Sequence, residues 1–453
     1  MSPFRRLLAL ADDAGVRATA ATRIVMLVGA PVSLYLAATR LPASAQGYYF
    51  VGVNIVALAQ LFETGLGTII VQFASHEWPR LRWGPRGALD GDPVARDAVN
   101  ALLLAAIRWF GVAALAVFLV AGVGGAVLYG SVLTSGVLAF TVMWCGYCAL
   151  TAVYLLLVPF VCVAEGCGDL LAVQRMRGWQ AGGVLVGLWT GIVTDGPLLA
   201  AWLAAFAQLT VAAIWLMRRH PALLRAPRTL PAHLMDAAKG LRSRYRTEQG
   251  RSAQLWLALY LAPQLLVPIL LRLRGGDEAG RLGVTLAIAI APLTLATSWL
   301  HGRYPSFGSL VAGKRTDEFD ALARRATGEA VGVFLAGAVF LTGVVMVLPF
   351  VAPTLAVRVM PIAYLWALFA GGAASLLLQA MAGWLRAFRD EGIAPAVVAG
   401  AVGVVVASGV SAGLGGGRLM TVGFAASSLG FAVPLAAAHF VRVRRERLSG
   451  GAP

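Results

Sequence analysis

Residues 109–164 contain no Asp, Glu, Lys or Arg and read WFGVAALAVFLVAGVGGAVLYGSVLTSGVLAFTVMWCGYCALTAVYLLLVPFVCVA. A membrane-spanning helix needs roughly 20 consecutive apolar residues to cross a hydrocarbon core of about 30 Å. The stretch is long enough for two such helices, and Tyr129-Gly130-Ser131 near its middle favours a turn between them. This segment predicts an α-helical membrane protein.

The rest of the chain has the same character. Of its 453 residues, 59% are hydrophobic and 13% are charged, and the mean hydropathy is +0.77. This composition excludes a water-soluble domain, whose surface needs more charge. We predict the all-α fold of a polytopic membrane protein, with twelve transmembrane helices in two six-helix lobes. The predicted spans are 22–41, 48–73, 99–128, 136–163, 178–194, 197–217, 253–271, 282–300, 329–352, 359–383, 393–413 and 419–441.

One long polar segment separates the first six spans from the last six. It predicts an N-terminal lobe over 1–217, a cytoplasmic basic linker over 218–252, and a C-terminal lobe with a basic tail over 253–453. The short loops on the opposite side are predicted at 42–47, 129–135, 195–196, 272–281, 353–358 and 414–418. Such loops leave no external domain for an envelope polymerase or ligase.

The two halves of the chain also resemble each other weakly in sequence. Ala45-Gln46-Gly47 enters the second span much as Glu278-Ala279-Gly280 enters the eighth. Pro31 is predicted to interrupt the first span, and Pro263 and Pro268 its counterpart, the seventh. Internal repeats and helices broken at matching positions are typical of transporters, although proline is also simply common in membrane helices.

The basic residues are distributed unevenly between the two sides of the predicted membrane. Most of the 37 Lys and Arg residues fall in the two tails and in the loops that follow even-numbered spans. The positive-inside rule therefore predicts that both termini are cytoplasmic. The same sorting explains the net charge of +16, so membrane lipids are expected partners and nucleic acid is not. No cleavable signal peptide is evident.

Motifs for catalysis or for a cofactor are weak or missing. The sequence has no phosphate-binding loop, no His-Glu-x-x-His and no Gly-x-Ser-x-Gly, and we expect neither an enzyme nor a cofactor. Cys145-x-x-Cys148 lacks the further ligands of a metal site and is better explained as small buried side chains. Asp90-Gly91-Asp92 could hold a metal-bound sugar nucleotide, but Asp92 before Pro93 is favoured as a helix N-cap.

Ionisable residues inside the spans are the main candidates for function. Glu63 lies about 15 Å of helix from the end of span 2, which places its carboxylate near mid-membrane. Gln60 lies on the same helical face. Arg23 in span 1 and Arg108 in span 3 are predicted at similar depths. Charges there face a protein interior or a wet cavity, so the group is either a buried ion pair that fixes helix register or a cationic cavity for an anionic headgroup.

Several motifs resemble Wzx-type polysaccharide flippases of the multidrug/oligosaccharidyl-lipid/polysaccharide exporter superfamily. They are Gln46-Gly47-Tyr48-Tyr49, Glu63-Thr-Gly65-Leu-Gly67, Gln72-Phe-Ala-Ser75-His-Glu77, Glu165-Gly166 with Arg175 and Gln180, Glu278-Ala-Gly280, Pro305-Ser-Phe-Gly-Ser-Leu310, and Asp317-Glu-Phe-Asp-Ala-Leu-Ala-Arg324-Arg325-Ala. The resemblance covers most of the chain in layout, although each motif is loose.

The resemblance implies a two-lobed bundle in the bacterial inner membrane. This bundle would flip a polyprenyl-diphosphate-linked glycan by alternating access for O-antigen or exopolysaccharide export. Basic cavity residues would meet the diphosphate: Arg23 and Arg108 in the first lobe, and Arg303 and Arg386 in the second. It also implies an envelope polysaccharide polymerase and glycosyltransferases as partners. Three rivals stay open. The first is a cation-coupled drug or metabolite antiporter of the same superfamily, the second is a membrane-embedded glycan-synthesis enzyme that uses Asp90 and Asp92, and the third is a scaffold for an envelope-synthesis complex.

Overall fold

The structure is a computed structural model whose described residues are almost entirely helical. They are 14–130, 136–194, 196–229, 254–255, 257–301, 303–304, 307, 310–311, 315–388 and 392–448. This described part of the chain contains twelve long helices, as predicted: α1 Ala14–Arg40, α2 Ala43–Glu77, α3 Pro93–Gly130, α4 Val137–Gly166, α5 Leu170–Val193, α6 Pro197–Arg219, α7 Leu257–Arg274, α8 Gly276–His301, α9 Thr316–Val351, α10 Ile362–Ala387, α11 394–414 and α12 417–448.

Within the described residues, eight helical stretches are long and apolar enough to cross a membrane, and one of them contains both α11 and α12. α1, α2 and α5 are also of spanning length. The chain is therefore an all-α, multi-pass membrane protein with two sets of six helices.

Several connections are shorter than the predicted loops. α7 and α8 are separated by Gly275 alone, whose φ of +86° suits glycine, so the loop predicted at 272–281 is wrong. α11 and α12 meet at a kink at Gly415 and Gly416 instead of the loop predicted at 414–418. In both places charged residues suggested a loop, whereas helices can continue past the hydrocarbon core and keep their charges in the headgroup layer.

Helix interruptions follow the prolines only in part. Helix α1 continues through Pro31, so the predicted interruption there is wrong. Helix α7 has a turn at Leu265, between Pro263 and Pro268, as predicted. A proline can be tolerated inside a membrane helix when neighbouring groups satisfy the freed carbonyl.

Contacts divide the chain into two compact units. The first comprises the described residues of 1–41 and 52–247, and the second comprises those of 42–51 and 248–453. Each has one central helix: α4 in the first unit, with 72% of its most apolar window buried, and α10 in the second, with 50%. Only 17% of the most apolar window of α9 is buried, so α9 lies at the periphery of its unit.

The core of the first lobe forms around α4. Trp144 and Tyr147 are fully buried on this helix. Helix α3 contains a π-helical segment, Val117–Gly124, and the indole of Trp144 donates a hydrogen bond to the Ala121 carbonyl within it at 2.8 Å. Carbonyls displaced from α-helical pairing are costly in hydrocarbon, and this bond satisfies one of them.

The first turns of α2 pack within the second unit. A Cβ atom at Gly47 would lie 3.1 Å from the Cβ of Ala279, so the two segments that echo each other in sequence are in contact. In the same first turn of α8, the carboxylate of the neighbouring Glu278 accepts a hydrogen bond from the Gly417 backbone N–H at 2.8 Å. The start of α8 thus holds both α2 and the α11–α12 kink.

Candidate functional site

Arg303 and Arg386 lie near each other at the end of the second lobe where α8, α10 and α12 finish. We call this the basic end of the lobe. Arg303 follows α8 directly, and Arg386 is in the last turn of α10. Arg386 is close enough to His301 and Tyr304 to act on both electrostatically. Both arginines that the sequence nominated in this lobe are therefore at the same end of it, and their joint role in binding stays a prediction.

The contact between Tyr304 and α10 positions these arginines. The Tyr304 hydroxyl donates to the Gln379 carbonyl at 3.2 Å. Its ring occupies the space where a Cβ of residue 383 would lie, and Gly383 leaves that space open. Any side chain at residue 383 would push the segment after α8 away from α10.

A carboxylate from α9 completes the group. Glu329 accepts hydrogen bonds from Arg325 Nε at 2.8 Å, Trp299 Nε1 at 3.1 Å and Arg303 Nη2 at 3.5 Å. Trp299, Arg303, Arg325, Glu329 and Arg386 are called the second-lobe arginine cluster below.

Two arginines of the cluster, Arg303 and Arg325, share the single carboxylate of Glu329, so their positive charge exceeds its negative charge by one. The Arg303 and Arg325 side chains keep 44% and 78% of their surface exposed, whereas Glu329 keeps 27%. Guanidinium groups donate paired, charge-assisted hydrogen bonds to phosphate or carboxylate oxygens. The arrangement suits an anionic ligand and leaves no free carboxylate for a cation among these five residues.

The first-lobe candidates are less well defined. Arg108 is half-buried on α3 and forms no hydrogen bond or ion pair with any residue that the structure describes. It shares a helical face with Val112 and Leu115, which are 56% and 58% exposed. This face points away from the core of the lobe.

The side chains of Arg23, Gln60 and Glu63 lie outside the described residues. Their backbone positions are within α1 and α2, as predicted. The predicted grouping of Arg23, Glu63 and Arg108 stays a prediction.

A second charged group occupies the loops at the basic end of the first lobe, where α2, α4 and α6 finish. Asp169, just before α5, accepts from Arg219 Nη2 at 2.8 Å and contacts His220 Nε2 at 2.9 Å. Only 12% of the Asp169 side chain and 3% of the His220 side chain are exposed. We call these three residues the first-lobe latch.

Burial and pairing set the pKa values of the first-lobe latch. Burial lowers the pKa of His220, and the neighbouring Arg219 adds to this, although the Asp169 carboxylate opposes it. Burial alone would raise the pKa of Asp169, but the hydrogen bonds from Arg219 and His220 outweigh it and lower this pKa. The latch is thus an ionised carboxylate with one permanent cation and one neutral imidazole near pH 7.

A β-hairpin covers the first-lobe latch. Strands Leu81–Trp83 and Leu89–Gly91 pair antiparallel, and the Trp83 ring lies 4.4 Å from the His220 ring, centroid to centroid. Gly87 has a φ of +71°, and a Cβ there would overlap His220. Neither the hairpin nor the latch was predicted from the sequence, although the Gly-Pro-x-Gly turn between Leu-Arg-Trp and Leu-Asp-Gly was a usable signal.

Other motif residues have structural roles. Glu165 pairs with Arg177 at 2.9 Å, and the Gln180 side chain donates to the Gln208 carbonyl at 3.0 Å. These contacts tie α4 to α5 and α5 to α6. They stabilise the first lobe internally.

The two acidic residues before α3, Asp90 and Asp92, also have structural roles. Asp90 pairs with Arg82 across the hairpin at 3.1 Å, and Asp92 caps α3 by accepting from the Val94 N–H at 3.2 Å. The N-cap prediction for Asp92 is confirmed. Among the described residues, His, Cys, Asp and Glu form no group that could hold a metal ion, and all four cysteines are free.

Solved structures with this arrangement of helices are transporters. An inward-facing multidrug resistance MATE family transporter of the MOP superfamily superposes with a TM-score of 0.63 at 13% identity, covering 93% of this chain and 96% of that one. The lipid II flippase MurJ in an inward closed conformation gives 0.61 at 8% identity, covering 92% and 87%. A mutant of the Vibrio cholerae MATE transporter VcmN gives 0.57 at 14% identity, covering 95% of each chain.

The chain shares the fold of these proteins. At such low identity the likeness establishes the fold alone, and neither a role nor a substrate follows from it. No protein-family model matches the chain, and a search of curated proteins finds no match.

Proposed function

We propose that the chain is a flippase of the bacterial inner membrane. It moves a polyprenyl-diphosphate-linked oligosaccharide between leaflets by alternating access, in the export of O-antigen or another exopolysaccharide. Both termini are cytoplasmic, and the cargo comes from membrane-bound glycosyltransferases and passes to a polymerase. The lobes over 1–217 and 253–453 act as the two moving bodies, joined by the basic linker 218–252.

The second-lobe arginine cluster is the observation that carries this proposal. A diphosphate presents several acceptor oxygens, and Arg303 and Arg386 offer the matching donors. A charge-assisted hydrogen bond contributes about 1.5–3 kcal/mol, which corresponds to roughly tenfold to hundredfold in affinity. Arg108, half-buried on α3 in the first lobe, is proposed to supply a further donor, with Arg23 beside it.

The exporter fold supports transport but leaves the cargo open, since multidrug transporters and a lipid II flippase share it. A cation antiporter needs an available carboxylate in its cavity. Glu329 is already surrounded by two arginines and an indole N–H, so anionic cargo is favoured. Glu63 is proposed to hold Arg23 or to exchange a proton or sodium ion. A sugar transferase is disfavoured because Asp90 and Asp92 pair with Arg82 and cap α3.

Reconstituted vesicles test the proposal. The purified chain is inserted into liposomes that contain a fluorescent polyprenyl-diphosphate glycan, and the fraction exposed on each leaflet is read with a membrane-impermeant quencher. We expect rapid equilibration with the wild type and at least about tenfold slower equilibration with the Arg303→Ala/Arg386→Ala double variant.

The matched control is Arg315→Ala, which removes an exposed arginine paired only with Glu318 among the described residues, at the start of α9. It should flip at the wild-type rate. Wild-type vesicles that leave the glycan on its original leaflet, or that expel a cationic dye instead, would overturn the proposal.

A further inference from the structure

A cavity of about 320 Å³ lies in the second lobe between α9, α10 and α12. Its walls come from the first turns of α9, the last turns of α10 and the last turns of α12. The cavity is therefore at the basic end of the lobe. The second-lobe arginine cluster does not use it.

The charged residues of the cavity are all at its outer end. Asp320 joins α9 to α12 through an ion pair with Arg444 Nη2 at 2.6 Å, and Arg324 Nη2 lies 3.6 Å from the same carboxylate oxygen. Two arginines against one aspartate leave a surplus of one positive charge. The Arg324 side chain is 71% exposed, so it can reach a ligand without breaking a contact in the core.

The deeper walls of the cavity are mainly apolar, and the hydroxyl of Thr327 there is bonded to the Ala323 carbonyl of its own helix. Leu377 lies seven residues before Trp384 on α10, or about 10 Å deeper, and Val433 lies eleven residues before Arg444 on α12, or about 16 Å deeper. Ala380 lies about 6 Å deeper than Trp384, between Trp384 and Leu377. Polarity therefore runs from charged to apolar along the cavity, as it does along a lipid from headgroup to chain.

Two buried N–H donors in this wall lack acceptors. Trp384 Nε1 and Arg444 Nε find no hydrogen-bond partner within the part of the chain that the structure describes. Both atoms are donors only, so a ligand that satisfied them must bring acceptor oxygens. Both atoms are shielded from solvent in this structure.

We propose that this cavity binds one acidic phospholipid of the surrounding membrane. The phosphate is held by Arg324 and Arg444 at the outer end, and one acyl chain enters along Ala380 toward Leu377 and Val433. The volume is at the small end of the range for ligand pockets, which fits a single chain rather than a whole lipid. Basic pockets between membrane helices commonly select anionic headgroups in this way.

The lipid site is separate from the second-lobe arginine cluster. Arg324 and Arg325 are neighbours in sequence, but they lie about 100° apart around α9. Arg325 bonds Glu329, whereas Arg324 faces Asp320 and the cavity. A bound phospholipid would bridge α9, α10 and α12 while the cluster remains available to cargo.

Thermal unfolding of the full-length protein in detergent tests the site. The midpoint is followed while dioleoyl phosphatidylglycerol, dioleoyl phosphatidylcholine or inorganic phosphate is added. We expect phosphatidylglycerol to raise the Tm at a concentration at least about tenfold lower than phosphatidylcholine, and phosphate alone to have no effect.

Three variants locate the effect. Arg324→Gln removes an exposed headgroup contact, and Ala380→Phe fills the acyl path without changing charge. Each should raise the phosphatidylglycerol concentration at half-effect by about fivefold or more. The control, Arg442→Gln, removes an exposed arginine of α12 outside the cavity wall and should match the wild type.

Equal responses to the two lipids, an equal response to phosphate alone, or an unchanged response in Ala380→Phe would each overturn the proposal. The measurement uses no lipid-linked sugar and no transport. A failure of flipping would therefore leave the lipid site standing, and a failure of lipid binding would leave the proposed flippase standing.

Discussion

At the basic end of the first lobe, Asp169 and His220 keep 12% and 3% of their side-chain surface exposed. At the basic end of the second lobe, Arg303 and Arg325 keep 44% and 78%. The first group is closed by a hairpin and has its charges paired, whereas the second has surplus arginines facing outward. Charge that is sealed and paired contributes to stability, and charge that is exposed and in surplus is available to a ligand.

Among the changes that test this difference between the two lobes, Asp169→Ala should cause the largest loss of stability. The substitution leaves Arg219 and the buried His220 without their shared acceptor. We expect a loss of about 2–3 kcal/mol in stability and a clearly lower Tm in detergent. The control Asp90→Ala removes an exposed hairpin pair in the same lobe and should leave the Tm unchanged; an equal drop in both would show that the latch is not a special contact.

Gly87→Ala should have the next largest effect. Residue 87 has a left-handed backbone conformation that alanine adopts only with strain, and the new Cβ would also overlap the His220 side chain. Gly136 is the matched control, because its φ is also +71° but nothing lies within 4 Å of a Cβ there. Gly136→Ala should cost about 1 kcal/mol from the backbone alone. Gly87→Ala should lower the Tm further, and similar shifts in the two variants would argue against tight packing of hairpin on latch.

A smaller effect should appear as a pH dependence. The pKa of His220 is lowered from its ordinary 6.5 in the folded protein. The unfolded chain therefore binds more protons below pH 6.5, and stability is fully present above 6.5 and declines as pH falls toward the lowered pKa. The Tm should drop between pH 7.5 and 5.5 in the wild type. The lowered pKa of Asp169 keeps that carboxylate ionised throughout this range.

His220→Gln provides the comparison for that titration. The variant has no imidazole at this position, so the part of the Tm slope between pH 7.5 and 5.5 that comes from His220 should disappear. A slope that is unchanged in His220→Gln would assign the pH dependence to other groups and remove the latch from the explanation.

The smallest effect on stability should come from Glu329→Gln in the second lobe. The carboxylate pairs with exposed arginines, and such surface pairs contribute little. We expect no measurable change in Tm but several-fold tighter binding of anionic cargo, since Arg303 and Arg325 lose their competitor. Equilibrium binding to a polyprenyl-diphosphate glycan would show the gain, and a large loss of stability would mean that the second lobe uses its charges as the first does.

Much of the fold was predictable because lipid imposes a simple rule on sequence. Twelve apolar stretches gave twelve helices, since each spanning backbone must satisfy its own hydrogen bonds. Helix ends were less predictable. α9 begins at Thr316, whereas the apolar run suggested 329, because its first three turns are polar and extend beyond the hydrocarbon.

The site was predictable only in part. Arg303 and Arg386 were nominated from the family resemblance, and both lie at the same end of the second lobe, where their role in binding stays a prediction. Glu329 was missed because hydropathy treats it as the edge of a span and gives no sign that it contacts Arg303. His220 was missed because a single histidine after a basic helix end carries no pattern; its burial comes from the hairpin, which is a long-range contact.

Binding selectivity is the most direct test of the claim that the exposed arginines recognise a phosphorylated cargo. The affinity of the purified wild type for a polyprenyl-diphosphate glycan is compared with its affinity for the same glycan on an uncharged polyprenol. We predict at least about tenfold preference for the diphosphate form, abolished in Arg303→Ala/Arg386→Ala and retained in Arg315→Ala. Equal affinity for the two glycans, or a preference that survives in the double variant, would contradict the account.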